Sequence, residues 1–178
     1  MGSDIIRGVS QWFRAYGFAE VFDDLLVGAY PLDPDDVAAL AGLGTSGVLN
    51  LCQDEEYERG ERRAIAHALA AADIAESRLP ITDYGGLSAD RLDAAVSEIG
   101  GWLDNGHRVY LHCRAGWQRS AAVAAGVVAI RERVDIDEAL ALVQARKPTA
   151  DPLPHQREDL RRWLDLRRGV DQPGGSPG

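Results

Sequence analysis

Cys113 and Arg119 stand six residues apart in the run His112-Cys113-Arg114-Ala115-Gly116-Trp117-Gln118-Arg119-Ser120. These are the residue types needed for displacement at phosphorus. A thiolate is a strong nucleophile, and a guanidinium presents a planar fork that grips two phosphoryl oxygens at once, which an ammonium does not. Gly116 lets the backbone curl tightly, and the Ser120 hydroxyl sits where it can hydrogen-bond the sulfur as a leaving group. Arg108-Val109-Tyr110-Leu111-His112 reads as a short strand, and the Ala/Val-rich stretch from Ser120 to Arg133 reads as a helix. A strand, a tight loop and a helix N-terminus together aim unpaired amide N–H groups at one point, Arg114 to Arg119 being the phosphate-binding candidates. That point favours an anion, either a substrate phosphate or the Cys113 thiolate.

The nine-residue run resembles the His-Cys-x5-Arg-Ser/Thr loop of the protein tyrosine phosphatases, specifically their compact dual-specificity branch. Three further segments carry the resemblance: Leu25-Leu26-Val27-Gly28-Ala29-Tyr30-Pro31, Gly47-Val48-Leu49-Asn50-Leu51-Cys52 and Leu79-Pro80-Ile81-Thr82-Asp83. The resemblance covers roughly residues 18–166. The resemblance implies catalytic roles for Cys113, Arg119, Asp83 and Ser120, with His112 orienting the nucleophile. From the residues alone Asp83 has two readings. It opens the turn-rich stretch Asp83-Tyr84-Gly85-Gly86 and either supports that turn through its side chain or supplies a proton to a leaving oxygen; the resemblance favours the second.

Other segments bear on specificity. Asp54-Glu55-Glu56-Tyr57-Glu58 is similar to a Glu-Glu-Tyr-Glu run in mitochondrial-type phosphatidylglycerophosphate phosphatases, which makes a phospholipid an alternative substrate to a phosphorylated protein. The same acidic residues also suit a helix N-terminus without any substrate. Trp117 departs from the small or basic residues usual in the loop and would either stack on an aryl phosphate or narrow the entrance. Arg114 is the one basic residue in the loop besides Arg119. Arg146 and Gln156 lie in a stretch loosely resembling the segment that braces the phosphate site in relatives, although Arg146 reads equally as a solvated helix-end charge. Cys52 occupies a position similar to that of a cysteine in phosphoinositide phosphatases, which suggests a resolving partner for Cys113 on oxidation; the alternative is an ordinary buried thiol.

The elements that must hold these residues follow from periodicity. Short apolar runs near 25–30, 46–52, 74–81 and 107–112 read as strands, with helices near 34–43, 58–72, 88–104, 119–132, 136–145 and 155–167. Alternating strands and helices predict an α/β fold with a mainly parallel central sheet flanked by helices, of the phosphotyrosine-phosphatase type that the resemblance implies. At 178 residues and 46% hydrophobic content the chain supports one core. We expect an amphipathic N-terminal helix over 1–17, on which Ile5, Ile6, Val9, Trp12, Phe13 and Tyr16 form one stripe packed on the domain. A catalytic domain follows over 18–168, then a disordered tail over 169–178.

Composition narrows the function classes. A net charge of −9 argues against nucleic acid as a partner. Four scattered histidines without ligand spacing predict no metal, and no nucleotide-binding glycine motif implies a cofactor. Two cysteines do not make a disulfide framework and suit a reducing cytoplasm. No apolar run is long enough for a spanning helix, the N-terminus does not read as a secretory signal, and Ile6 occupies the position where an acylation motif wants Ser or Thr, so no stable membrane anchor is expected. The leading expectation is a cysteine-dependent hydrolase of phosphate monoesters. A rhodanese-like sulfurtransferase, whose typical loop is shorter, and an inactive phosphate-binding module are the alternatives.

Overall fold

A computed structural model describes residues 8–170. The expectations for residues 1–7 and for most of the tail lie outside the described residues.

A five-stranded sheet runs in the order β1-β2-β5-β3-β4. Its strands are β1 (Phe18–Phe22), β2 (Leu25–Ala29), β3 (Gly47–Asn50), β4 (Ala75–Arg78) and β5 (Val109–Cys113). β2, β5, β3 and β4 are mutually parallel, and β1 pairs antiparallel with β2. The helices are α1 (Gln11–Tyr16), α2 (Pro34–Gly42), α3 (Glu61–Ala71), α4 (Ala89–Asp104), α5 (Arg119–Glu132), α6 (Ile136–Arg146) and α7 (Pro154–Val170), with a short 3-10 turn at Asp54–Glu56. The mainly parallel α/β sheet is therefore as expected.

Strand alternation splits the core into two layers. Leu25, Val27, Leu49, Leu51, Val109 and Leu111 face α4, α5, α6 and α7, whereas Leu26, Val48 and Tyr110 face α1, α2 and α3. Helix ends obey local chemistry. Ser88 caps α4 through the amide of Arg91, Asp33 caps α2 through the amides of Asp35 and Asp36, and Asp135 caps α6 through that of Glu138. β5 lies between β2 and β3, so its C-terminal end, where Cys113 sits, opens into the crevice at which α/β sheets bind ligands.

Two differences from the sequence expectations stand out. The strand β1 was not anticipated, because Phe18-Ala19-Glu20-Val21-Phe22 is a half-exposed edge whose formation depends on its pairing with β2. The N-terminal helix is short among the described residues: it starts after Ser10 and stops at Gly17, whose φ of +61° ends it before β1. This helix is locked to the domain. Val9 and Phe13 are buried, and Ser10 donates from both its backbone N and its Oγ to the buried Asp36 carboxylate, each at 2.7 Å. Among the described residues no helix is long and apolar enough to cross a membrane.

Candidate active site

Cys113 ends β5 and Arg119 begins α5, so residues 114–118 make the whole connection. α5 forms because its Ala-rich run packs on every side with almost nothing polar to satisfy, and no side chain caps its first turn. The first-turn N–H groups are thus left to face the loop. Gly116 is required twice over. Its φ is +75°, and a Cβ there would come within 2.6 Å of the Gly28 carbonyl oxygen. Gly28 is equally confined, since its own Cβ would meet Phe18 Cβ at 2.5 Å. The loop is pinned at both ends. Tyr30 N donates to Arg114 O at 3.0 Å, and Asp151 N donates to Trp117 O at 2.7 Å.

Within the loop, Cys113 Sγ lies 3.3 Å from Ser120 Oγ, both groups being buried. Arg119 is only 1% exposed. Its Nη1 and Nη2 donate to Glu56 Oε1 and Oε2 at 2.6 and 2.7 Å, and Nη1 also donates to Ile81 O at 3.0 Å. Asp83 Oδ1 forms an ion pair with Nη2 at 3.0 Å. Arg119 Nε is buried and has no partner among the described residues, which leaves a donor for phosphoryl oxygen. Burial pushes the Glu56 carboxyl up, but the hydrogen bonds from Arg119 and the Gln53 amide outweigh it and hold the group below the usual carboxylate range. The same pairing outweighs the effect of burial on Arg119 and raises its affinity for the proton.

Asp83 sits on the loop between β4 and α4. Its amide donates to Gln53 Oε1 at 3.2 Å, and Tyr84, with φ of +56°, turns the chain immediately afterwards. A non-glycine residue in that region costs about 1–2 kcal/mol, which the surrounding contacts must offset. Gln156, fully buried, supplies one of them: Nε2 donates to Gly85 O at 3.0 Å while Oε1 accepts from Leu153 N. The structure therefore places Gln156 against the loop that carries Asp83, not against the phosphate loop.

Arg114 lines the pocket, but its guanidinium is committed elsewhere. Nη1 donates to Glu56 O, and the group lies over the rings of Trp12 and Tyr30 at 5.3 and 5.5 Å. Its Nη1 is therefore directed away from the loop's anion site. Arg146 is exposed at the end of α6, whereas its neighbour Lys147 turns inward and donates from Nζ to Tyr16 O and Thr149 Oγ1. Cys52 follows β3 and Cys113 ends the adjacent strand β5; both are free, buried thiols. Burial pushes the Cys52 thiol strongly up, and the negative charge of Glu56 adds to this.

His112 donates from Nδ1 to Cys113 O at 3.3 Å. Complete burial lowers its pKa from 6.5 to about 3, so the native protein keeps it neutral. The unfolded chain takes up a proton at this histidine below pH 6.5 and the native chain does not, so its contribution falls as pH drops from 6.5 towards 3. We expect the urea midpoint to fall between about pH 6.5 and 5 more steeply in the wild type than in His112→Asn, a window above most carboxylate titrations. Parallel slopes for the two proteins would contradict this assignment.

The residues missed from the sequence are Glu56 as the partner of Arg119, Gln53 and Lys147 as braces, and Trp12 and Tyr16 as pocket walls. The acidic run 54–58 was a signal for Glu56, but nothing in its spacing distinguishes a ligand of Arg119 from a helix-end charge.

Residues 31–165 match the family model of the dual specificity phosphatase catalytic domain. The chain belongs to that family. Its cysteine-based phosphatase chemistry makes the protein a hydrolase of phosphate esters, and the sulfurtransferase alternative falls away. Among solved structures, PTPMT1 is 22% identical with a TM-score of 0.74, covering 87% of this chain and 99% of its own. Tk-PTP in the active form is 20% identical with a TM-score of 0.73, covering 83% and 96%. Human DUSP28 is 19% identical with a TM-score of 0.71, covering 86% and 99%. At these identities the likeness is one of fold. No curated protein matches the chain in sequence.

Proposed function

We propose that this dual-specificity-type phosphatase hydrolyses phosphate monoesters on protein side chains through a cysteinyl-phosphate intermediate. The observation that carries the reading is that Cys113, Arg119 and Asp83 line one cavity of about 210 Å³ together with the loop residues Arg114, Ala115, Trp117 and Gln118, while the Ser120 hydroxyl lies 3.3 Å from Cys113 Sγ. In the first step the Cys113 thiolate forms an S–P bond, the ester P–O bond breaks, and its electron pair leaves with the oxygen, which takes a proton from the Asp83 carboxyl. Arg119 and the loop amides bind the phosphoryl oxygens as charge shifts among them. In the second step water attacks phosphorus, Asp83 accepts its proton, and the S–P electron pair returns to sulfur, where the Ser120 hydroxyl donates to it.

A phospholipid substrate is the second reading. One solved PTPMT1 structure is a complex with PI(5)P, a property of that protein. Here Arg114, the loop's additional cation, is turned onto Glu56 O and two aromatic rings, which weakens recognition of a polyanionic headgroup. The deciding assay is release of phosphate from phosphotyrosine and phosphothreonine peptides and from phosphatidylglycerophosphate vesicles. A peptide substrate should give the higher kcat/KM.

Asp83→Asn tests the acid. Hydrolysis of a phosphothreonine peptide, whose alkoxide needs a proton, should fall by about 10²–10³-fold. Hydrolysis of para-nitrophenyl phosphate, whose leaving group is stable unprotonated, should fall much less. Equal losses on both substrates would assign Asp83 to structure instead.

A further inference from the structure

The pocket above Cys113 is walled by aromatic rings from separate parts of the chain: Trp12 and Tyr16 from α1 and Trp117 from the loop, with Tyr84 beside Asp83 at the mouth. Residues 12 and 16 lie one helical turn apart and therefore share a face. Their ring centroids are 4.1 Å apart, and Tyr16 lies 5.3 Å from Trp117 with its plane inclined at 45°. The wall is fixed before any substrate arrives. Phe13 is anchored in the core, Ser10 is held by Asp36, and the buried Lys147 donates to the Tyr16 carbonyl. This helix precedes the part of the chain that matches the family model.

We propose that Trp12 and Tyr16, together with Trp117, form a collar that selects aryl phosphate monoesters, and hence phosphotyrosine side chains, over alkyl ones. The proposal rests on the reading of Cys113 as the nucleophile. Cys113 is 2% exposed at the floor, while Trp117 and Tyr84 are 42% and 68% exposed at the rim. A phosphate must descend past the rings to reach sulfur. A phenyl ring carried next to the phosphate can stack against the collar in offset or edge-on geometry. The single carbon of phosphoserine or phosphothreonine would instead press the peptide main chain against the rings. An acyl-glycerol stalk is slender enough to enter but offers no ring to stack.

The test compares kcat/KM for a phosphotyrosine peptide, the matched phosphothreonine peptide and phosphatidylglycerophosphate in the wild type, Trp12→Leu and Tyr16→Leu. Leucine keeps apolar packing while removing the ring. Tyr16→Phe and Trp12→Phe serve as rescue variants. The expected result is a wild-type preference for phosphotyrosine, reduced about 10-fold by each leucine variant, chiefly through KM, and restored by phenylalanine. An unchanged preference in both leucine variants would overturn the collar. So would a wild type that hydrolyses phosphothreonine or the lipid as well as phosphotyrosine, an outcome that leaves the cysteine mechanism intact. Absence of turnover on all three substrates would overturn the hydrolytic reading and the collar with it.

Discussion

Cys113→Ser lowers kcat/KM for every phosphate monoester by about 10⁴-fold or more, to the level of the loop's binding contribution alone. The hydroxyl that replaces the thiol is a far weaker nucleophile at neutral pH, and among the described residues the side-chain group within hydrogen-bonding distance of Cys113 Sγ is the Ser120 hydroxyl, which is not a base. Binding should survive. The loop amides and Arg119 remain in place, so the serine variant should hold a phosphotyrosine peptide with an affinity near the wild-type KM. Residual turnover within about 100-fold of the wild type would mean that another group attacks phosphorus.

Arg119→Lys is expected to cost about 10²–10³-fold in kcat/KM, mostly in kcat. A lysine reaches one point, whereas Arg119 divides its donors among the two oxygens of Glu56 and the Ile81 carbonyl and keeps an unpartnered Nε among the described residues. The variant also loses thermal stability, because Glu56 forfeits a two-point partner while staying largely buried. Glu56→Gln acts in the same direction but less strongly, about 10-fold in kcat, since it releases the guanidinium without removing it. Steady-state kinetics with a phosphotyrosine peptide and a melting curve for each variant check both effects. Lysine supporting turnover within about twofold of arginine would contradict the assigned role.

The central layer of the fold was legible because its signals are local. The β5–loop–α5 unit combines a short apolar run, a glycine-bearing turn and an alanine-rich helix, and each piece specifies itself. β1 was not legible, since a half-exposed five-residue edge strand gains its pairing only from β2. The site divides in the same way. Cys113, Arg119 and Ser120 lie on one contiguous stretch, so spacing alone suggested that they meet. Glu56 reaches Arg119 across 63 positions. Trp12 and Tyr16 belong to an apolar stripe that reads as packing, but among its described residues it is Val9 and Phe13 that are buried in the core. Gln156 lies in a stretch that loosely resembles a brace of the phosphate site; its amide holds the Gly85 carbonyl on the loop that carries Asp83, and the nearby Asp151 amide holds the phosphate loop at Trp117.

The most direct test of covalent catalysis by Cys113 is a single turnover of a phosphotyrosine peptide, quenched in acid within milliseconds and followed by peptide mass spectrometry. We expect a transient phosphate adduct on the peptide containing Cys113 that decays as inorganic phosphate appears, and that persists longer in Asp83→Asn. Full turnover without any such adduct, or with phosphate on a different residue, would contradict the mechanism.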